Sequence, residues 1–272
     1  MRFIHLTDLH ITADDRPLYG LRPRQRLEAA IRCINEEYAG VDLVMITGDL
    51  ANVGTVEEYH ALREILAGLE RPWHLLIGNH DARAPFREVF PDVPVDDHGF
   101  VQYGLDTEAG RFVVLDTLKD GSVNGLLCGQ RLEWLRAELA AVGEGDVYLF
   151  LHHPPLRLEG GRSMAAIIEE SPCRVRHLFF GHLHRPFHGS WQGIPFSGQH
   201  STVHQFVQDL LAGPGVIRGC HQPPTFAAVN LVDGNVVIIT HNFTDDSPRF
   251  DLRSAEAAQA ATPEDLPPLS SS

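Results

Sequence analysis

Four short apolar segments of this chain are each followed by side chains that can bind a metal ion. The segments are residues 3–7, 41–47, 73–77 and 175–180. Their length and apolar character predict buried strands. Two segments with helical spacing, residues 24–38 and 57–69, separate the first three strands, which predicts a parallel sheet with helical crossovers. Because sites in such sheets lie beyond the carboxyl ends of the strands, the polar residues there predict one shared site.

The polar residues at the strand ends are carboxylates, imidazoles and one amide. Together with a histidine after the apolar run at residues 147–151, the set is Asp8, His10, Asp49, Asn79, His152, His182 and His184. Mixed carboxylate and imidazole ligands suit Zn, Fe, Mn or Co better than Ca or Mg. So many ligands exceed the needs of one tetrahedral ion, which favours two ions that share Asp49 as a bridging carboxylate.

His80 directly follows Asn79 and is a candidate for proton transfer rather than for metal binding. A histidine beside the ions but outside their ligand shell could protonate a leaving alkoxide or stabilise developing negative charge. We therefore assign His80 and the bridging Asp49 as the catalytic residues. Taken alone, each motif could instead be a polar surface turn or a pair of surface histidines. Their recurrence at successive strand ends favours the metal site.

The composition limits which partners the chain can have. Its formal charge is −14, whereas a surface for duplex nucleic acid needs clustered Lys and Arg. Small anionic substrates are compatible with this charge, because bound cations reverse the local potential. The four cysteines are far apart and form no zinc-knuckle pair. We find no signal peptide and no apolar run that could span a bilayer, so we expect a cytoplasmic protein without membrane contact.

The remainder of the chain predicts a second, mixed sheet and a carboxyl-terminal hairpin. Residues 100–105 and 111–116 are closely spaced strands, which favours antiparallel pairing. Residues 130–141 predict an amphipathic helix. Residues 226–240 predict a hairpin around Asp233-Gly234, since Asp-Gly is a favoured two-residue turn.

In this order the motifs resemble those of the calcineurin-like metallophosphoesterases. The motifs are Asp8-x-His10, Gly48-Asp49 with Gly54, Gly78-Asn79-His80-Asp81, His152, and Gly181-His182-x-His184. Within this superfamily the chain is most similar to the bacterial glycerophosphodiesterases and the class III cyclic-nucleotide phosphodiesterases. The closer resemblance is carried by residues 18–20, 52–54, 57–59, 152–156 and 202–205.

The resemblance implies an α/β fold, a four-layer αββα sandwich in which two mixed β-sheets lie between helices, with a small carboxyl-terminal β cap. Residues 1–197 would form the catalytic domain. Residues 253–272 are rich in Ala, Pro, Glu and Ser, and this composition predicts a flexible tail. Between them, residues 198–252 would carry a substrate-binding histidine and the hairpin, which would act as a cap and as a dimerisation region. We therefore expect a homodimer or a dimer-based higher assembly.

The resemblance also assigns the candidate ligands to two divalent ions per chain, which could be Fe, Mn, Zn or Co. The first ion would be held by Asp8, His10, Asp49 and His184, and the second by Asp49, Asn79, His152 and His182. The substrate-binding residues that it implies are Asn79, His80, His204 and Tyr19. The implied reaction is hydrolysis of small phosphodiesters by attack of a metal-activated hydroxide. Candidate substrates are glycerophosphodiesters, cyclic nucleotides and aryl diesters.

Other functions are compatible with the same motifs, namely a phosphomonoesterase, a nuclease or a non-catalytic scaffold. Protein Ser/Thr phosphatases of the superfamily carry Asp-Arg-Gly where this chain has Asn52-Val53-Gly54, and Glu in place of Asp81, which argues against that activity. Nucleases usually add long capping segments, and the acidic charge of this chain is unsuited to duplex DNA. A scaffold would have lost motif residues, whereas every candidate ligand and His80 are present.

Overall fold

The first sheet begins with a parallel unit of three strands joined by helices. The structure, a computed structural model, describes residues 1–208, 216–260 and 262. The strands are β1 (Arg2–Leu6), β2 (Leu43–Thr47) and β3 (Trp73–Leu76). The helices are α1 (Pro23–Glu37), α2 (Val56–Leu66) and α3 (Arg83–Val89). β1 pairs in parallel with β2, and β2 with β3, so the predicted crossover order is confirmed.

The second sheet is mixed. Its strands are β4 (Tyr103–Thr107), β5 (Gly110–Val114), β6 (Asp146–Phe150), β7 (Arg174–Phe180), β8 (Phe187–Trp191) and β9 (Ile194–Gly198). Its helices are α4 (Gly129–Val142) and α5 (Gly161–Glu170). β4 and β5 are antiparallel, as predicted, whereas β5, β6, β7 and β9 are parallel neighbours. Short 3-10 turns lie at Ala13–Asp15 and Pro155–Arg157.

Three apolar clusters fill the spaces between the layers. One lies between the first sheet and helices α1, α2 and α3, and another between the second sheet and helices α4 and α5. The third lies between the two sheets. There the fully buried ring of Phe3 lies 5.3 Å, centroid to centroid, from those of Phe112 and Phe179. This order of helices and sheets confirms the predicted four-layer αββα sandwich.

A small β element follows the second sheet. It is an antiparallel pair of two-residue strands, β10 (Gln205–Phe206) and β11 (Gly219–Cys220). Residues 209–215, between these strands, lie outside the described residues. This pair is the part of the predicted cap region that stays separate from both large sheets.

The carboxyl-terminal hairpin lies within the first sheet and not in a cap. It consists of β12 (Phe226–Val232) and β13 (Asn235–His241). Asp233 and Gly234 have positive φ angles of 51° and 73°, as the predicted two-residue turn requires. β12 pairs antiparallel with β1, with His5 opposite Ala227. The expectation that the hairpin belongs to a cap is therefore corrected. β12 covers the free edge of β1, and its apolar side chains fill the space between the sheets.

The predicted tail is described in part. Residues 253–260 and 262 are described and include the short helix α6 (Ala255–Gln259), whereas residues 261 and 263–272 lie outside the described residues. The division of the chain at residues 197 and 252 stays a prediction. None of the helices in the described part of the chain has the length and apolar character that a membrane span requires.

Candidate metal centre

All the candidate metal ligands lie together at the carboxyl ends of strands from both sheets. Asp8, His10, Asp49 and Asn79 follow β1, β2 and β3 of the first sheet. His152, His182 and His184 follow β6 and β7 of the second sheet. Asn79 and His182 are half-buried and the others are buried. The centre therefore lies where the edges of the two sheets meet.

One half of the centre is formed by Asp8, His10, Asp49 and His184. One ligand atom of each lies within 4.8 Å of the others. The Nε2 atoms of His10 and His184 are 3.1 Å apart, and His184 Nε2 lies 3.4 Å from Asp8 Oδ1. Asp49 Oδ2 lies 3.7 Å from His10 Nε2. Ligands that share one ion at about 2.0–2.3 Å have separations of this size.

The other half is formed by Asp49, Asn79, His152 and His182. His152 Nε2 lies 3.4 Å from Asp49 Oδ1 and 3.2 Å from Asn79 Oδ1. His182 Nδ1 lies 2.9 Å from the same amide oxygen. Asp49 thus directs one carboxylate oxygen to each half of the centre.

Backbone carbonyls set the tautomers of two candidate ligands. His152 Nδ1 donates to the carbonyl of Thr47 at 2.8 Å, and His184 Nδ1 donates to the carbonyl of His204 at 2.9 Å. In the neutral rings the Nε2 lone pairs then point into the centre, where they face further oxygen acceptors. A shared cation would bind these converging nitrogen and oxygen atoms together, so the residues present fit a divalent metal centre.

The charges of the centre also favour a cation. Burial lowers the pKa of His152, but the negative charge of Asp49 outweighs this and raises the pKa to about 9. Burial favours the neutral form of Asp8, yet His184 keeps the pKa of that carboxyl below its usual value. The buried carboxylates therefore remain ionised and stabilise positive charge between them.

The backbone at the centre adopts conformations that residues with side chains rarely occupy. Positive φ angles occur at Asp8 (55°), His10 (44°), Asp49 (48°), His182 (71°) and His184 (48°). Positive φ angles are rare in residues other than glycine. They cluster at functional sites, where the surrounding contacts stabilise them.

Two glycines of the motifs allow this close packing. A Cβ atom on Gly78 would lie 2.3 Å from Asp49 Oδ1, and one on Gly181 would lie 1.9 Å from Thr7 Oγ1. Neither position can hold a side chain without displacing a group at the centre. The glycines are therefore required by the close approach of the loops.

Asp81 ties two of the loops together beneath the centre. Its buried carboxylate accepts hydrogen bonds from the backbone N–H groups of Leu50 (3.1 Å), Ala51 (3.0 Å) and Gly78 (2.8 Å), and from the hydroxyl of Tyr59 (3.0 Å). Burial raises its pKa to about 6. The sequence placed Asp81 in a motif but did not predict that its carboxylate would link these loops. For Tyr59 the sequence predicted no role beyond the family resemblance.

The predicted substrate-binding residues lie around the centre. His80 donates its backbone N–H to Asp49 Oδ1 at 2.9 Å and its Nδ1–H to the carbonyl of Asn52 at 2.7 Å. The ring centroid of His204 lies 4.6 Å from that of His184. The ring of Tyr19, which is largely exposed, lies 4.8 Å from the ring of His204.

Comparison with known proteins agrees with this geometry. A family model described as calcineurin-like phosphoesterase matches residues 1–186. The chain belongs to the calcineurin-like phosphoesterase family. A probable cyclic nucleotide phosphodiesterase of Rhodopseudomonas palustris is 43% identical over 270 residues, which cover 94% of this chain and 98% of that protein. A glycerophosphodiester phosphodiesterase of Enterobacter lignolyticus is 30% identical over 220 residues, which cover 75% and 78%.

Solved structures show the same fold at low sequence identity. A purple acid phosphatase from yellow lupin seeds superposes with a TM-score of 0.68 at 14% identity, over 90% of this chain and 52% of that one. This likeness shows the shared fold. The family match, together with the cluster of Asp and His side chains, indicates a divalent metal centre.

Replacing Asp81 with Asn should lower the free energy of unfolding by about 3 kcal/mol, because the amide leaves buried donors without an acceptor. The loosened loops should also retain less metal. Urea unfolding and the metal content after dialysis measure the two effects.

Asp96→Asn is the matched control. Asp96 also accepts two backbone N–H groups through one oxygen, from His98 at 3.0 Å and Phe100 at 2.8 Å, but it lies in a surface turn. If Asp81→Asn retained as much metal as Asp96→Asn, Asp81 would have no part in positioning the centre.

Proposed function

We propose that this chain is a phosphodiesterase that hydrolyses small phosphodiesters at a centre of two divalent metal ions. The observation that carries the proposal is the position of Asp49. Its two oxygens face His10 in one half of the centre and His152 in the other, at 3.7 Å and 3.4 Å. Both curated relatives described above are named as phosphodiesterases, which supports diesters as the substrates.

The two halves would hold one ion each. The first ion would bind Asp8, His10, Asp49 and His184. The second would bind Asp49, Asn79, His152 and His182, which approach one another in the other half. Fe, Mn, Zn and Co all suit this ligand set. When bound, such ions neutralise phosphoryl oxygens and bring the pKa of water near neutrality.

His80 is the proposed proton donor to the leaving alkoxide. Because the Asn52 carbonyl can only accept, His80 Nδ1 carries the proton of that hydrogen bond. The ring is thereby oriented with Nε2 as the atom that can face a substrate oxygen. To act as the acid, the ring would be an imidazolium with a second proton on Nε2, and this proton would pass to the leaving alkoxide. The ring lies 4.7 Å from that of His10, centroid to centroid. His204, whose ring lies 5.3 Å from that of His10, and Tyr19 beside it would contact the substrate phosphate.

His80→Ala should lower kcat/KM for diesters with alkoxide leaving groups by roughly 10²–10⁴-fold, the size of general acid catalysis. Diesters with leaving groups of low pKa, such as bis-p-nitrophenyl phosphate, should lose least, because they need no proton. A series of alkyl and aryl phosphodiesters, assayed with the wild type and the variant, measures this dependence.

His98→Ala, at an exposed histidine outside the centre, is the control and should leave the whole series unchanged. An equal loss across the series in His80→Ala would mean that His80 only positions the phosphate. A wild type that cleaves phosphomonoesters but none of the diesters would contradict the proposed function.

The outer strand of the first sheet is the proposed contact between two copies of the chain. On β13, Val237 is 48% exposed and Ile239 is 54% exposed, whereas the alternating Val236 and Ile238 pack toward the core between the sheets. An open edge strand with an apolar outer row favours pairing with the same strand of a second copy. This arrangement would give the homodimer expected from the family resemblance.

Light scattering on the intact protein should therefore report at least a dimer at micromolar concentration. The double variant Val237→Lys, Ile239→Lys should be monomeric, because it places charges in the apolar contact. Val123→Lys changes another exposed apolar residue, 66% exposed, and should keep the assembly. A monomeric wild type would refute the contact.

We also place the protein in the cytoplasm. Its four cysteines, Cys33, Cys128, Cys173 and Cys220, are all free, as a reducing compartment would keep them. The acidic net charge argues against duplex nucleic acid as the partner and is compatible with small anionic substrates, because bound cations reverse the local potential.

A further inference from the structure

Three potential metal ligands meet between helix α1 and strand β13, outside the candidate metal centre. They are Cys33 and Glu37 on α1 and His241 on β13, and one ligand atom of each lies within 4.8 Å of the others. We call this group the α1–β13 cluster. Cys33 and His241 are 208 positions apart in the sequence, and the addition of the carboxyl-terminal hairpin to the edge of β1 brings them together. The cluster is therefore a product of the tertiary fold.

The separations within the cluster suit ligands of one shared ion. Sγ of Cys33 lies 3.3 Å from Nε2 of His241. Sulfur and nitrogen ligands around a tetrahedral zinc ion, at about 2.3 Å and about 2.0–2.1 Å from it, are about 3.5 Å from each other. Cys33 and Glu37 are one helical turn apart and lie on the same face of α1, a spacing that metal ligands on a helix commonly have.

Aromatic side chains hold the imidazole of His241 in place. Its ring packs against Tyr38 with ring centroids 5.3 Å apart, and against the fully buried Phe226 with centroids 5.2 Å apart. Cys33 is buried as well, with 8% of its surface exposed. Two of the three ligands are thus already positioned by the packing of the protein, as a binding site with a defined geometry requires.

The chemistry of the donors indicates which cation the cluster would take. Thiolate and imidazole ligands favour Zn²⁺, whereas Mn²⁺ and Mg²⁺ prefer oxygen ligands. Burial, reinforced by the charge of Glu37, raises the pKa of the Cys33 thiol to about 11, so a bound ion would displace the thiol proton. Glu37 Oε1 accepts from Arg249 Nη2 at 2.7 Å, and a carboxylate oriented by such a contact has a second oxygen to offer an ion.

We propose that Cys33, Glu37 and His241 bind a Zn²⁺ ion that joins β13 to α1. Three protein ligands leave a fourth tetrahedral position for water. Because the unfolded chain keeps these ligands far apart, the ion would bind the folded chain and stabilise the hairpin on the edge of the first sheet. The cluster contains a sulfur ligand and the candidate metal centre does not, so the two kinds of site can be measured separately.

Titration of the full-length protein with Co²⁺, a spectroscopic substitute for Zn²⁺, tests the cluster. A thiolate bound to Co²⁺ produces a charge-transfer band in the near ultraviolet, whereas imidazole and carboxylate ligands do not. The wild type should develop this band with the intensity of a single cobalt–thiolate bond per chain, and added Zn²⁺ should remove it. Glu37→Gln, at an exposed residue, should weaken Co²⁺ binding at this site at least about tenfold, since even the loss of an outer partner of a ligand costs 10–100-fold.

A matched pair of cysteine variants identifies the sulfur. Cys33→Ser should lose the band. Cys173→Ser should keep it, because Cys173 is also 8% exposed but lies outside the cluster. Zn²⁺ should also raise the midpoint of thermal unfolding of the wild type more than that of Cys33→Ser, by about 5 °C at a free concentration near 100 times the Kd. This difference reports the cluster alone, since the candidate metal centre is present in both proteins.

Several results would overturn the proposal. One is a wild type without the band, and another is a band of equal intensity in Cys33→Ser. Unchanged Co²⁺ affinity in Glu37→Gln would remove the carboxylate from the site. Equal stabilisation of the wild type and Cys33→Ser by Zn²⁺ would contradict the joining of β13 to α1. None of these measurements uses phosphodiester hydrolysis, so they leave the proposed function untouched.

Discussion

The metal centre depends on the approach of the Asp49 carboxylate, on one sheet, to His152, on the other. Asp49 follows β2 of the first sheet, and its Oδ1 lies 3.4 Å from Nε2 of His152, which follows β6 of the second sheet. A site divided in this way exists only if the sheets keep a fixed distance and register. The aromatic core around Phe3 packs between the sheets and therefore helps to fix the geometry of the centre.

The loops at the strand ends adopt strained backbone conformations, and hydrogen bonds to buried carboxylates stabilise them. Non-glycine residues with positive φ cost free energy, so neighbouring contacts must stabilise them. Asp81 accepts hydrogen bonds from three backbone N–H groups in the loops after β2 and β3. On the opposite side, Asp8 accepts the backbone N–H of His182 at 3.0 Å and the hydroxyl of Thr7 at 2.8 Å. The candidate ligands are thus oriented by the protein itself, as a centre with a defined geometry requires.

Sequence periodicity and position predicted the framework of this site. Short apolar runs located the strands, and the rule that sites lie beyond the carboxyl ends of parallel strands brought residues as distant as Asp8 and His184 together. The Asp233-Gly234 turn was also foreseeable from its residue types, but the place of its hairpin was not. An alternating pattern shows which face of a strand is buried, not which strand lies beside it, and here the partner is more than 200 residues away.

Other parts of the site depend on contacts that no local pattern encodes. His204 was predicted only through the family resemblance, because a lone histidine carries no spacing signal. The hydroxyl of Tyr59 donates to Asp81, which is close to it only because the chain folds back after β3.

Elemental analysis of the protein after saturation with Mn tests the central claim most directly. The wild type should bind about two equivalents per chain, and Asp49→Ala should lose the pair, because in the proposed centre both ions would share this carboxylate. His80→Ala should keep both ions, since His80 lies outside the ligand set. A firm value of one equivalent in the wild type, or two retained by Asp49→Ala, would contradict a centre bridged by Asp49.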